Sequence, residues 1–290
     1  MSKNLLNLSG KIDSLRLEAF EAIAAIAESE GVRFFVIGAT ARDMIFEHGH
    51  GIRALRATRD IDFGVYVPDW AQYEKLKKGL ETTGKFIPTE VVHRLEYKSS
   101  LIIDLIPFGP IAGRNDKISW PPKHEIEMST LGFEESYQHS VTIRLRSDPV
   151  LDIRFASLAG LALLKIIAWD DKDSETDKDA DDLAFIIRRY IDAGNDERLF
   201  SSDKDLIENQ EDFDYESASA RLLGRDMAAI SQHKTARIVL DILNRETGKQ
   251  DRYRLVEDMI RISRGYSGDF EDMLHLLEEL KRGFIERLPE

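Results

Sequence analysis

Apolar positions in the first half of the chain switch between two periods. Residues 11–30 (KIDSLRLEAFEAIAAIAESE) carry Leu15, Ala19, Ile23 and Ile26 at helical spacing, with Ser9 as the expected cap. RFFVIG, residues 33–38, is a short apolar run closed by glycine and predicts a buried strand, followed by a helix over ATARDMIFEHG that ends near Gly49. A Gly- and Arg-rich loop, residues 49–58, leads into TRDIDFGVYV, residues 58–67, where apolar and polar positions alternate as in a strand. A helix over 69–83, capped by Asp69 after Pro68, precedes two strands over 86–96 and 98–106. PFGPIAGRNDKISWPP, residues 107–122, is too long for a plain connection and is expected to fold over a site. VTIRLR and VLDIRF, parted by Ser147-Asp148-Pro149, predict a further hairpin.

Beyond Phe155 the pattern predicts helices alone, over 157–170, 179–193, 216–230, 234–247, 252–264 and 268–287. The expected organisation is α+β: a mixed α/β domain over 1–155, then an all-helical domain over 156–290. No internal repeat or low-complexity tract interrupts it.

Composition narrows the function. The 290 residues contain no cysteine, which excludes disulfides, thiolate zinc sites and cysteine nucleophiles. The longest apolar run, Leu158–Trp169, contains Gly160 and Lys165, and residues 1–11 (MSKNLLNLSGK) show no signal-peptide pattern, so a cytoplasmic protein with no membrane span is expected. The net charge of −13 is uneven: residues 1–150 hold 19 Lys and Arg against 21 Asp and Glu, the remainder 21 against 32. A broad basic footprint for nucleic acid is therefore missing. Arg42, Arg53, Arg56 and Arg59 still cluster in the near-neutral half and could form a local phosphate-binding patch.

Candidate chemistry rests on three acids. Asp60 and Asp62 share one face of a strand, about 6–7 Å apart, and repel unless a cation lies between them. Asp104 stands alone among Leu101, Ile102, Ile103, Leu105 and Ile106, where an unpaired carboxylate is costly to desolvate. Nucleotidyl transfer from a nucleoside triphosphate calls for two cations about 3.5–4 Å apart, and Mg²⁺ takes hard oxygen ligands of this kind. Gly38 at a strand-to-helix turn lets backbone N–H groups approach phosphate, and Thr40 adds a hydroxyl. The seven histidines show no H-x-x-x-H spacing, which argues against zinc. Trp120 reads as a packed loop aromatic before it reads as a base-stacking platform, and the acids around Asp170–Asp182 suit a solvated loop and helix start.

With these residues in view, VIGATARDMI, RATRDIDFGV and LIIDLI together resemble the nucleotidyltransferase superfamily of the DNA polymerase β type. The spelling G-x-T-A followed by R-x-x-x-D-I-D looks most like its AbiEii branch of toxin–antitoxin and abortive-infection toxins. LLKIIAWDDKDSETDKDADDLAFII matches the branch's helical motif at Lys165, Ala168, Lys178, Asp179, Asp182 and Leu183. The resemblance spans roughly residues 31–190. It implies a polymerase β-like fold with two Mg²⁺ on Asp60, Asp62 and Asp104, the last also helping to activate the acceptor hydroxyl. It further implies an NTP held by Gly38, Ala39, Thr40, Arg42 and Asp182, with Lys165 closing from the helical side. The implied partners are a tRNA or other RNA acceptor and a cognate antitoxin. A small-molecule or protein acceptor, or a catalytically silent binding module, are the alternatives. Ala39 stands where the family has a second Gly or Ser, and the segment Gly49–Thr58 lengthens the usual spacing to the acid pair.

Overall fold

A computed structural model describes residues 5–53, 58, 60–171, 178–208, 213–248, 253–262 and 269–288. The chain forms two compact units, Met1–Ser157 and Leu158–Glu290.

In the first unit the strands are β1 (Leu5–Asn7), β2 (Arg33–Ile37), β3 (Asp60–Tyr66), β4 (Phe86–Pro88), β5 (Arg94–Tyr97), β6 (Leu101–Phe108), β7 (Lys117–Ser119), β8 (Glu127–Ser129), β9 (Val141–Ser147) and β10 (Val150–Phe155). The helices are α1 (Ser14–Ser29), α2 (Gly38–Asp43), α3 (Trp70–Thr82) and α4 (Phe133–Gln138). Eight strands make one mixed sheet in the order β1-β9-β10-β2-β3-β6-β5-β4, and β7 pairs with β8 apart from it. β3 runs antiparallel to β2 and parallel to β6. The parallel pair needs a crossover, and α3 begins it.

Alternation along β3 decides which face is core. Ile61, Phe63 and Val65 are buried, and Phe63 meets Phe20 of α1 edge to face at 5.9 Å, as Phe155 of β10 does at 5.8 Å. Asp60, Asp62, Gly64 and Tyr66 therefore share the opposite face. Farther along that opposite face Phe35, Phe108, Phe133 and Tyr137 pack ring on ring, so aromatic residues cover one end and the acids stand at the other.

Several expectations are refined. The cap of α1 is Asp13, whose carboxylate accepts from the Arg16 N–H at 2.9 Å, rather than Ser9. The helix after β2 runs from α2 into a π-helical turn, Met44–Gly49. The strand expected over 86–96 is two short strands, β4 and β5, joined by a turn. The loop expected over 107–122 contains the end of β6, a 3-10 turn at Pro110–Asn115 and β7. Trp120 is buried there, 5.0 Å from the His93 ring and 5.6 Å from Trp70, which makes it packing.

The second unit contains α5 (Leu158–Asp171), α6 (Lys178–Arg189), a 3-10 turn (Asp196–Phe200), α7 (Asp205–Glu208), α8 (Tyr215–Ile230), α9 (His233–Glu246), α10 (Arg254–Ile262) and α11 (Phe270–Glu286). α8 and α11 touch through glycines. A Cβ on Gly224 would lie 2.0 Å from the Leu280 carbonyl oxygen, and one on Gly283 would lie 1.9 Å from that of Arg221. Only residues without a side chain let two backbones come this close.

A dense ion network joins the same helices. Arg225 binds Asp203 at 3.0 Å, Glu286 at 2.7 Å, and Asp205, while Arg198 binds Asp203 and Asp226. Arg225's hydrogen bond draws the Asp205 carboxyl below its ordinary range against a smaller effect of burial. Burial pushes Asp203 and Glu286 upward, but hydrogen bonds from Ser202, Arg198 and Arg225 on the first, and from Arg221 and Arg225 on the second, carry both below it. Carboxylates lowered in the fold contribute stability above their unfolded values, near 4, and lose it as pH falls through the folded ones. Melting temperature is therefore expected to be level between pH 6 and 8 and to drop steeply below about pH 4.5. Arg225→Met should flatten that acid limb in a pH series of thermal melts. An acid limb unchanged in the variant would show the network to be idle.

Candidate active site

The strand registers align the site in one row. Ile37 of β2 pairs with Asp62 of β3, Asp62 with Asp104 of β6, and Asp104 with Arg94 of β5. Paired residues on adjacent strands share a face, and Asp60 lies two residues from Asp62 on that same face. The three acids therefore stand on one side of the sheet, at the end where β2 turns into α2.

Gly38 makes that turn. Its φ is +67°, in the left-handed region, and a Cβ on it would lie 2.1 Å from Asp62 Oδ2. The glycine thus provides both the bend and the room for a carboxylate. Gly38→Ala is expected to add about 1–2 kcal/mol of backbone strain. It should also push the Asp62 side chain aside, so that transfer falls by a larger factor than stability does. Thermal melting compared with turnover tests this; wild-type turnover in a folded variant would show that the close approach does not matter.

Thr40 and Arg42 both have partners within the protein. The Thr40 hydroxyl donates to the Asp60 carbonyl oxygen at 2.7 Å, which ties α2 to β3. Arg42 is 2% exposed, with its guanidinium on Asp43 at 2.7–2.8 Å, so it braces the helix rather than facing solvent. Ala39 is buried beside them. Arg53 is exposed and pairs with Glu47 at 3.2 Å, whereas Arg56 and Arg59 lie outside the described residues.

Lys165 lies in the second unit, on α5, a helix buried on nearly all sides. Its ammonium is 2.8 Å from Asp179 and 2.7 Å from Asp182, both on α6. Burial disfavours the ammonium, yet the charges of Asp182 and Asp179 outweigh this and push its pKa up. Lys165 is thus paired with Asp179 and Asp182 inside the helical unit.

Arg94 is the site residue that the sequence reading missed. Its Nε donates to Asp104 Oδ1 at 2.8 Å and its Nη2 to Oδ2 at 2.7 Å, a two-pronged pair. Hydrogen bonding to Asp104 raises its pKa most, with the charges of Asp104, Asp60 and Asp62 adding to it. A signal was present. Lys98 and Ser99 have positive φ and form the tight turn between β5 and β6, so counting back from Tyr97 opposite Leu101 places Arg94 opposite Asp104. His93 beside it is buried enough to lower its pKa, an effect that the charges of Arg94 and Lys77 reinforce and that of Asp104 opposes.

As the side chains stand, no three His, Cys, Asp or Glu residues among those described gather into a group that could hold a metal ion. Asp104 is turned to the guanidinium.

No curated protein matches the chain. Among solved structures, the chain is similar to the antibiotic-resistance factor ANT(2'')-Ia, with 14% identity and a TM-score of 0.35, over 68% of this chain and 97% of that one. It is similar to the lincosamide antibiotic adenylyltransferase LnuA, with 17% identity and a TM-score of 0.35, over 59% of this chain and 94% of that one. It is also similar to a CCA-adding enzyme in complex with ATP, with 14% identity and a TM-score of 0.31, over 95% of this chain and 82% of that one. Scores this low leave the assignment to the sequence match. The family model described as nucleotidyl transferase AbiEii toxin, type IV toxin–antitoxin system, matches residues 21–238. The chain belongs to the AbiEii nucleotidyltransferase toxin family.

Proposed function

We propose that this toxin transfers a nucleotidyl group from an NTP to a hydroxyl of an RNA acceptor, a tRNA, and that a separate antitoxin restrains it. The observation that carries this reading is the row Asp62–Asp104, with Asp60 on the same face and Gly38 against Asp62. The family implies a divalent metal, and the donor set suits one: hard carboxylate oxygens on adjacent strands, on one face, at a glycine turn. Asp60 and Asp62 would hold two Mg²⁺, with Asp104 completing the set once it leaves Arg94. The ions would supply charge stabilisation at the triphosphate and a lowered pKa for the attacking hydroxyl.

The chain's own residues divide the remaining work. Gly38 lets the backbone approach the phosphates closely. Thr40 fixes the distance between that turn and β3. Asp104 orients the acceptor hydroxyl and accepts its proton. Arg53 lies exposed before the catalytic strand, where it can meet RNA phosphate.

The net charge of −13 favours a second reading, transfer to a protein or small molecule. Incubation with each labelled NTP and Mg²⁺, with and without total tRNA, followed by separation of RNA from protein, tests both. Label in tRNA supports the first reading and label in protein the second. No label in either with any NTP would reject RNA and protein as acceptors.

A further inference from the structure

Arginines of the first unit divide into two sets. Arg16, Arg42, Arg53, Arg94, Arg144 and Arg146 each pair with a carboxylate. Arg33 and Arg154 lie on tyrosine rings instead. The Arg33 guanidinium carbon is 4.0 Å from the centre of the Tyr66 ring and 5.8 Å from that of Tyr137. The Arg154 carbon is 5.2 Å from the centre of the same Tyr137 ring. Both arginines are exposed and both tyrosines half-buried, and among the described residues neither arginine is paired with a carboxylate.

Strand register puts this group on the face that carries the acids. Arg33 stands opposite Tyr66, which shares its face with Asp60 and Asp62. Phe155, the neighbour of Arg154 in β10, packs on Phe20 across the sheet, so Arg154 points to the acid side as well. Tyr66 is four residues along β3 from Asp62, about 13 Å away. A guanidinium laid on a ring is held by the ring's negative face and keeps N–H donors on its edge for an anion. Arg154 gives one N–H to the Ser140 hydroxyl at 3.4 Å. In a chain of net charge −13, exposed cations that no carboxylate neutralises mark where a polyanion meets least repulsion.

Resting on the reading that RNA is the acceptor, we propose that Arg33 and Arg154, with the Tyr137 ring they share, bind the acceptor's sugar–phosphate backbone at the far end of the acid face. Two fork-shaped donor groups held over one ring suit phosphates of a single strand. The outer plane of an arginine laid on a ring is also a surface on which an unpaired base stacks, and an acidic peptide makes no use of it.

Fluorescence anisotropy of labelled total tRNA with the full chain, across a salt series, tests this. Arg33→Gln and Arg154→Gln should each weaken binding by about three- to tenfold and reduce the slope of log affinity against log salt by about one. The double variant should reduce it by about two. Arg33→Lys should weaken binding yet keep the wild-type slope, since it retains the charge and loses the fork, a split that a merely structural arginine would not give. The two arginines stand on different strands, so either Gln variant carries the test where thermal melting shows the other unfolded. Unchanged slopes in folded variants overturn the proposal. Polyglutamate that displaces tRNA from wild type as well as unlabelled tRNA does, at equal charge, assigns the patch to an acidic protein segment and also overturns it. Wild-type protein that neither binds nor labels tRNA would instead remove the RNA reading itself, an outcome distinct from wild-type binding that the variants leave unmoved.

Discussion

The Asp62→Asn protein is expected to fold normally and to have lost nucleotidyl transfer by a factor of about 10³ or more. Asp62 stands at the crossing of every feature of the site. It is paired in register with Asp104, two residues from Asp60, and close enough to Gly38 to exclude a methyl group there. Asparagine has nearly the same shape, so Gly38 keeps its space and β3 its pairing. What is removed is one negative charge and one hard-anion ligand. Stability should stay within about 1 kcal/mol of wild type, because the change also relieves repulsion among the acids. Labelled-NTP turnover measured beside thermal melting checks both statements. A folded Asp62→Asn protein that transfers at the wild-type rate would show the acid row to be structural.

Lys165→Ala is expected to act in the reverse order, with the loss appearing first in stability. The ammonium pairs with two carboxylates, and the side chain of Asp182 is only 1% exposed. Truncation would leave those charges buried opposite an apolar helix. Removing one partner of a buried ion pair costs about 3–5 kcal/mol. For a unit of this size that is a fall of about 10 °C or more in melting temperature. Adding Asp182→Asn to the lysine variant should recover part of the loss, since it removes the stranded charge. Equal melting temperatures for Lys165→Ala and wild type, combined with lost nucleotide binding, would return the lysine to a substrate role.

Lys165 and Arg94 illustrate what was legible in the sequence. The period-2 alternation of β3 put Asp60 and Asp62 on one face, and a single acid in an apolar run marked Asp104; both follow from local spacing, and the structure has them on one face. The helical half was readable for the same reason, with α8 at Tyr215–Ile230 against an expected 216–230. Partners of a charge were not readable. Lys165 pairs with residues 14 and 17 positions away, through the packing of α5 on α6, and no local period encodes that choice. Arg94 finds Asp104 through the register of a turn, which required the turn to be recognised in Lys98-Ser99 without a glycine. Short elements such as β1, α4 and α7 also escaped, since three to six residues hold too few repeats of any period.

The glycine seam between α8 and α11 bears on how the chain is made. A crossing that admits only Gly224 and Gly283 has one position and no neighbouring one, so the helices cannot settle a turn out of place and correct themselves later. Some forty residues separate the end of α8 from the start of α11, and the Gly224 face of α8 has nothing to pack on until residues 270–286 have left the ribosome, although its other side already meets α6 through Ser219 and Ile187. The helical unit is therefore completed only after α11 has been made. Translation itself sets the earliest moment at which a newly made toxin molecule can have its second half in order.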